Sequence, residues 1–165
     1  LKASFAHFYG MDDADADRAV AKYREYFRRK GIFENAVYPG IPELLGRLEA
    51  AGKRLMVATS KPTVFARTIL EHFGLATYFC GIVGSELDGT RTDKGEVIAC
   101  ALASSGFGPK QAVMVGDRSY DIIGAAQNRL PAVGVLYGYG SREELEAAGA
   151  FGLANTVEEL ERLLL

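Results

Sequence analysis

The spacing of apolar residues changes along the chain, and the change divides it near residue 36. Residues 1–36 contain no strand-like run, and their spacing predicts one helix over Leu1–Tyr9 and a second over Asp12–Lys30. Acidic residues begin the second helix and basic residues end it, as the helix dipole favours. The first region is therefore predicted to be a small helical unit, joined through residues 36–40 to the rest of the chain.

From residue 37 onward, short apolar runs alternate with amphipathic segments. The predicted strands are 55–59, 81–84, 112–115 and 132–136, and the predicted helices are 41–51, 62–73, 94–104 and 119–128. The capping boxes Ser141/Glu144 and Thr156/Glu159 mark two further helix starts. Alternation of this kind is typical of βαβ units. The predicted fold class is α/β, a three-layer Rossmann-like parallel sheet.

Composition fits one globular domain and argues against several classes of partner. The chain has 165 residues, 48% of them apolar, and a net charge of −2, so it has no basic footprint for nucleic acid. No apolar run is long enough to span a bilayer. Cys80 and Cys100 lie in apolar stretches, and we expect both to be reduced core thiols of a cytoplasmic protein.

Polar residues follow three of the predicted strands, at the sheet edge where ligands bind in open α/β folds. Thr59 and Ser60 end the first strand, and a helix begins directly after them. A hydroxyl beside a helix N-terminus favours an anion. The alternative is that Ser60 only caps the helix.

Lys94 stands in the first turn of a predicted helix, behind the capping residue Asp93. A cation there opposes the helix dipole, so an anionic ligand or a carboxylate is expected to compensate it. The alternative is a solvated surface lysine.

Asp117 and Asp121 are four residues apart after the third predicted strand. Two carboxylates at this spacing share one helix face and repel each other, so a cation is expected between them. Carboxylate oxygens favour Mg²⁺, and Lys94 can supply a second positive charge. The alternative is that Asp117 caps a helix while Asp121 is solvated.

Together the three strand ends fit a phosphate bound beside a divalent cation, but they include no nucleophile. His7 and His72 lie away from the strand ends and are expected to pack or cap. Neither Cys80 nor Cys100 has a helix N-terminus or a base beside it that would activate a thiolate.

In this order, Val57–Pro62, Lys94 and Val115–Asp121 resemble motifs two, three and four of the haloacid dehalogenase superfamily. Tyr38–Leu45 and Gly134–Gly140 are similar to its phosphoglycolate phosphatase-like branch. The resemblance spans essentially the whole chain. It implies a Mg²⁺-dependent phosphatase that works through an aspartyl-phosphate intermediate.

The resemblance also implies a role for each motif residue. Thr59 would hydrogen-bond the transferring phosphoryl group, and Ser60 would help through its backbone. Lys94 would neutralise the nucleophile and the phosphate. Asp117 would ligate Mg²⁺, and Asp121 would complete the metal's shell or hold Lys94.

For the two regions, the resemblance implies that residues 1–36 are the C-terminal part of an α-helical cap and that residues 37–165 are the hydrolase core. Such a cap closes over the site and excludes water. Four of its side chains are candidates for substrate specificity: His7, Tyr9, Arg24 and Arg28.

The sequence departs from the family at the first motif, an Asp-x-Asp-Gly-Thr segment on the central strand. Asp88-Gly89-Thr90 echoes its last letters, but it follows no strand and position 86 is not aspartate, so it does not replace the motif. We expect a longer protein whose preceding segment carries the nucleophile, the acid/base aspartate and the central strand. Without that strand, two inner sheet edges would be unpaired.

The expected partner is a small phosphorylated metabolite, with no nucleic acid and no membrane, and the expected assembly is a monomer or homodimer. Phosphoglycolate is the first expectation for the substrate, and a nucleoside monophosphate, as for a 5'-nucleotidase, or another small phosphate ester is the alternative. Dehalogenation and phosphomutase chemistry are alternatives within the superfamily. A catalytically inactive phosphate-binding regulator is the alternative if the chain truly begins at residue 1.

Overall fold

A computed structural model describes all of residues 1–165. The chain forms two compact units, Leu1–Ala36 and Val37–Leu165. None of the α-helices combines the length and the apolar character needed to cross a membrane.

The first unit is helical, as predicted. It contains α1 (Lys2–Tyr9), α2 (Asp13–Arg29) and a short 3₁₀ turn at Gly31–Phe33. The carboxylate of Asp12 caps α2 by accepting the backbone N–H of Asp15 at 2.8 Å. Lys2 on α1 bonds to Asp17 on α2 at 2.9 Å, which ties the two helices together at the surface.

The second unit alternates strands and helices. Its strands are β1 (Leu55–Pro62), β2 (Phe79–Ser85), β3 (Met114–Gly116), β4 (Ala132–Val135) and β5 (Gly152–Ala154). Its helices are α3 (Ile41–Ala50), α4 (Thr63–His72), α5 (Lys94–Ser105), α6 (Ser119–Gln127), α7 (Arg142–Ala147) and α8 (Val157–Leu164). The alternation is confirmed. The sequence did not predict β5, because a three-residue strand is too short to establish a period.

Helices cover both faces of the strands, which confirms the three-layer α/β architecture. Alternate residues of β4 show this, since side chains along a strand point to opposite faces. Val133 and Val135 pack in a cluster with residues of α3 and α8. Ala132 packs in another cluster, with residues of α5, α6 and α7.

The strands form two parallel sheets rather than one continuous sheet. One has the order β1-β2 and the other β3-β4-β5, so β1 and β3 each have an unpaired edge. A cavity of about 1050 Å³ is lined by Leu55–Ala58 of β1 and by Met114 and Val115 of β3, among others. β4, which is paired on both edges, is buried throughout, whereas β1 and β3 are only partly buried. The two unpaired inner edges expected from the sequence are therefore present.

The expectation of core thiols is wrong for Cys80. Leu55 pairs with Phe79 and Met56 with Gly81, so Cys80 is the extra residue of a bulge in β2. Its side chain is exposed. Cys100 on α5 is partly buried, and both cysteines are free.

Only the first half of each expected capping box is present. The side chains of Ser141 and Thr156 accept the backbone N–H groups three residues ahead, at 3.2 Å each. In a complete capping box, the glutamate side chain would accept the backbone N–H of the capping residue. Here Glu144 bonds to Ser119 and Arg118 instead, and Glu159 bonds to Asn155.

Candidate active site

The end of β1 provides the hydroxyl groups expected there. Thr59 Oγ1 accepts the backbone N–H of Lys61 at 3.1 Å. β1 continues to Pro62, so Thr59 lies in its C-terminal half and the predicted strand end at residue 59 is three residues too early. Ser60 is exposed, and its carbonyl accepts a hydrogen bond from Ser85 Oγ at 2.9 Å. The capping alternative for Ser60 is wrong, because α4 begins at Thr63 and has no side-chain cap.

Lys94 lies at the N-terminus of α5 with most of its side chain buried, so the alternative of a solvated lysine is wrong. Its side chain is 11% exposed, and its Nζ lies 2.7 Å from Asp121 Oδ1. The same Nζ donates to the backbone carbonyl of Ala58 at 2.7 Å. Asp93 caps α5 by accepting the N–H groups of Gly95 and Glu96. The carboxylate and the carbonyl supply the compensation that a cation at a helix N-terminus requires.

Asp121 is also buried, with 8% of its surface exposed. While Oδ1 pairs with Lys94, its Oδ2 accepts the backbone N–H groups of Asp117 and Arg118, both at 3.1 Å. The alternative in which Asp121 is solvated is therefore wrong. Asp121 is thus in contact with Lys94, as one of its two expected roles requires.

Asp117 lies between β3 and α6, before the helix begins. Its Oδ2 accepts the backbone N–H of Tyr139 at 2.9 Å, and its carbonyl accepts that of Gly140 at 2.9 Å. A Cβ at position 138 would lie 2.3 Å from Asp117 Cβ, and one at position 140 would lie 2.2 Å from its carbonyl oxygen. Glycine at both positions lets this loop close against Asp117.

These contacts join the two sheets at one point. Asp117 N–H binds Asp121, Asp121 binds Lys94, and Lys94 binds the carbonyl of Ala58, the residue before Thr59. Lys94, Asp117 and Asp121 therefore belong to one connected group, which reaches β1 at the residue before Thr59. A pocket of about 260 Å³ beside this group is lined by Ser60, Lys94 and Tyr120, among others.

A tyrosine pair lies near Asp117. The rings of Tyr38 and Tyr137 meet edge to face, with centroids 5.5 Å apart. Burial raises the pKa of Tyr137 to about 12, with smaller contributions from Tyr38 and Asp117. Tyr137 is therefore a neutral phenol at ordinary pH.

The residues judged unsuited to catalysis have structural contacts. His7 and His72 each stack edge-on against the following phenylalanine, at 4.8 and 4.9 Å. The Asp88 carboxylate binds the backbone N–H and hydroxyl of Thr90 within an exposed turn.

The sequence did not predict two groups that hold Asp117 or the two residues after it. Tyr139 binds Asp117 with its backbone N–H. Every residue except proline has this group, so the identity of residue 139 does not reveal the contact. Glu144 bonds to Ser119 N–H and Arg118 Nε, 25 and 26 residues away, and its position in a capping pattern concealed this role. In the sequence, only the glycines at positions 138 and 140 indicate the close approach of this loop to Asp117, because a side chain at either position would overlap with Asp117.

The model of the haloacid dehalogenase-like hydrolase family matches residues 1–135. The chain belongs to this family. Its match covers well over half of the sequence and includes all three candidate motifs, which confirms the resemblance found in the sequence.

Relatives of the chain carry several names. A 5'-nucleotidase of Pseudomonas aeruginosa is 51% identical over 89% of this chain and 66% of its own length. The tyrosine-protein kinase PtkA of Mycobacterium tuberculosis is 40% identical over 90% of this chain and 52% of its own length. A phosphoglycolate phosphatase of Rhodospirillum rubrum is 36% identical over 88% of this chain and 62% of its own length. The chain thus spans between about half and two thirds of these relatives.

Solved structures of the family share the fold. The crystal structure of a predicted phosphatase from Clostridium acetobutylicum has a TM-score of 0.93 and 52% sequence identity. The superposition covers 99% of this chain and 76% of that chain. The Rossmann-like fold class predicted from the sequence is confirmed.

Proposed function

We propose that the protein is a Mg²⁺-dependent phosphatase that hydrolyses a small phosphate monoester through an aspartyl-phosphate intermediate. The observation that carries the proposal is the position of Lys94, whose Nζ is 2.7 Å from both Ala58 O and Asp121 Oδ1. A buried ammonium group between the end of β1 and the carboxylates of the β3–α6 segment suits a phosphoryl group, whose transfer requires positioning and charge neutralisation.

Each residue has a defined task in this reaction. The hydroxyl of Thr59 and the backbone at Ser60 bind oxygens of the phosphoryl group at the end of β1. Lys94 balances the negative charge of the phosphoryl group and of the attacking carboxylate. Asp121 keeps the Lys94 ammonium oriented, because the two side chains are in direct contact and largely buried.

Asp117 is the carboxylate of this group that suits Mg²⁺. Tyr139 N–H occupies one side of Oδ2, and Oδ1 lies outside that bond. Mg²⁺ commonly takes one or two carboxylates, with water and substrate phosphate completing the shell, so a single carboxylate from this unit fits that donor set. When bound, Mg²⁺ would supply charge neutralisation at the phosphate.

The attacking carboxylate is proposed to come from a strand seated in the cavity between β1 and β3. Both strands have unpaired edges there, and the apolar lining suits an extended segment with backbone donors and acceptors on both sides. Its carboxyl end would reach the same sheet edge as Thr59 and Asp117, because parallel strands end together.

The proposed reaction has two displacements. A carboxylate oxygen attacks phosphorus, the bond from phosphorus to the ester oxygen breaks, and the leaving alcohol takes a proton from an acid. Water then attacks phosphorus and gives a proton to the group that acted as the acid, the bond from phosphorus to the carboxylate oxygen breaks, and inorganic phosphate leaves. This is nucleophilic catalysis by carboxylate, in which one difficult step becomes two easier ones.

The substrate is proposed to be a small metabolite. The higher identity to the relative named 5'-nucleotidase, 51% against 36% for a phosphoglycolate phosphatase, favours a nucleoside 5'-monophosphate over phosphoglycolate. The ratio of kcat/KM for the two compounds distinguishes these choices, and a higher value for phosphoglycolate would reverse the preference.

Hydrolysis of p-nitrophenyl phosphate by the full-length protein tests the proposed activity. We expect turnover with Mg²⁺, none after chelation by EDTA, and a loss of about 10³-fold in Asp117→Asn, since charge at the transition state is lost. Asp88→Asn is the matched control, because this carboxylate lies in an exposed turn and is expected to leave the rate unchanged. Turnover that survives EDTA, or a normal rate in Asp117→Asn, would refute the proposal.

A further inference from the structure

The segment that carries Asp117 is held by groups from three different elements. Asp121 on α6 binds the N–H groups of residues 117 and 118, and the loop at residues 138–140 binds the carboxylate and carbonyl of Asp117. The third group is Glu144, in the first turn of α7. Its Oε1 accepts Ser119 N–H at 2.8 Å and Arg118 Nε at 2.9 Å.

Glu144 reaches this segment from a fixed position. Ser141 caps α7 by accepting the backbone N–H of Glu144 at 3.2 Å, which fixes the backbone from which the carboxylate extends. The Glu144 side chain is 27% exposed, and that of its partner Arg118 is 46% exposed. The contact is therefore partly exposed to solvent.

The charge of Glu144 matches its surroundings. Ser119 is the first residue of α6, and its N–H is one of the groups that a helix leaves without an internal partner. A carboxylate at that helix N-terminus is favourable. The hydrogen bond from Ser119 N–H and the guanidinium of Arg118 lower the pKa of Glu144 to about 2, so it is ionised at all ordinary pH values.

We propose that Glu144 is a positioning residue for Asp117. By fixing residues 118 and 119, it sets the direction of the Asp117 carboxylate and so the affinity of this carboxylate for a divalent cation. The inference rests on the proposed function, in which Asp117 is the metal ligand. It adds a residue from α7, outside all of the recognised motifs, to the machinery of the site.

The test is a titration of the full-length protein with Mn²⁺, followed by the electron paramagnetic resonance signal of the free ion. Mn²⁺ takes the same oxygen ligands as Mg²⁺. Loss of a group that orients a metal ligand commonly costs 10- to 100-fold in affinity. Because Glu144 acts through the backbone, we expect the low end of that range, an increase in Kd of about tenfold, in Glu144→Ala.

Two further variants separate positioning from stability and from charge. Glu144→Gln keeps an oxygen that can accept Ser119 N–H, so its Kd is expected to rise only about threefold. Glu146→Gln removes the same charge from the same helix, where Glu146 pairs only with exposed Arg142, and its Kd is expected to be unchanged. The melting temperature of each variant is measured alongside.

A Glu144→Ala variant with a lower melting temperature and an unchanged Kd for Mn²⁺ would overturn the inference, since Glu144 would then only stabilise the fold. An equal loss of affinity in Glu146→Gln would also overturn it, by showing a general effect of charge. The proposed function fails separately, if Asp117→Asn binds Mn²⁺ as the unmodified protein does.

Discussion

The two sheets contribute unequal halves to the candidate site. On the β3 side, Asp117 and Asp121 accept hydrogen bonds from three backbone N–H groups, and Asp121 also binds Lys94. On the β1 side, the Thr59 hydroxyl accepts one backbone hydrogen bond, and Ser60 is exposed. The charged side chains of the β3 side are thus fixed by several hydrogen bonds and an ion pair, whereas the neutral hydroxyls of the β1 side have few contacts.

The difference follows from the cost of burying charge. A buried carboxylate without partners is costly, so Asp121 requires the ammonium of Lys94 and two backbone donors. A hydroxyl at a partly exposed strand end is neutral and can donate to water. Substitutions in the carboxylate half should therefore lower both the free energy of unfolding and kcat. Substitutions in the hydroxyl half should lower kcat with little change in the free energy of unfolding.

The largest effect is expected where the halves meet. Lys94→Met leaves Asp121 buried without its counter-ion, so we expect a loss of about 3 kcal/mol in the free energy of unfolding. It also removes the positive charge at the phosphate, with a loss of about 10³-fold in kcat. Urea denaturation and p-nitrophenyl phosphate hydrolysis measure the two effects.

Lys110→Met is the control for this change, since Lys110 is exposed and precedes β3, at the end of this strand opposite to Asp117. The double variant Lys94→Met/Asp121→Asn should regain part of the stability, because no unpaired charge is left, while its activity stays low. A Lys94→Met variant as stable as the unmodified protein would show that the pair is not coupled to folding.

A smaller and purely catalytic effect is expected at the other half. Thr59→Val keeps the shape of the side chain and removes the hydroxyl. We expect kcat to fall about 10²-fold and the free energy of unfolding to fall by about 1 kcal/mol or less, for the loss of one hydrogen bond. Thr68→Val is the isosteric control, since the Thr68 hydroxyl bonds only within α4. Equal losses of stability in Thr59→Val and Lys94→Met would contradict the contrast between the halves.

The sequence predicted the order of most elements and the three polar strand ends, because both depend on local pattern. It could not predict the partners of Glu144, since Ser119 and Arg118 lie 25 and 26 residues away along the chain. Cys80 shows a similar limit. Its apolar surroundings indicated burial, but a bulge changes which face a strand residue occupies, and no periodicity reveals a single extra residue.

The smallest expected effect is a change in pH dependence. The pKa of Glu144 is lowered from 4.5 to about 2, so its contribution to stability is complete above 4.5 and is lost as the pH falls toward 2. The stability difference between the unmodified protein and Glu144→Gln should therefore be constant at neutral pH and shrink below pH 4.5. Urea denaturation at a series of pH values measures it, and a difference that grows on acidification would have the wrong sign.

In the proposed site, residues from both sheets bind one phosphoryl group and one metal ion. The most direct measurement is a crystal structure of the full-length protein with Mg²⁺ and inorganic phosphate. We expect phosphate oxygens bonded to Lys94 Nζ and Thr59 Oγ1, with Mg²⁺ on the carboxylate of Asp117. Phosphate bound elsewhere on the molecule, or Mg²⁺ held without Asp117, would contradict it.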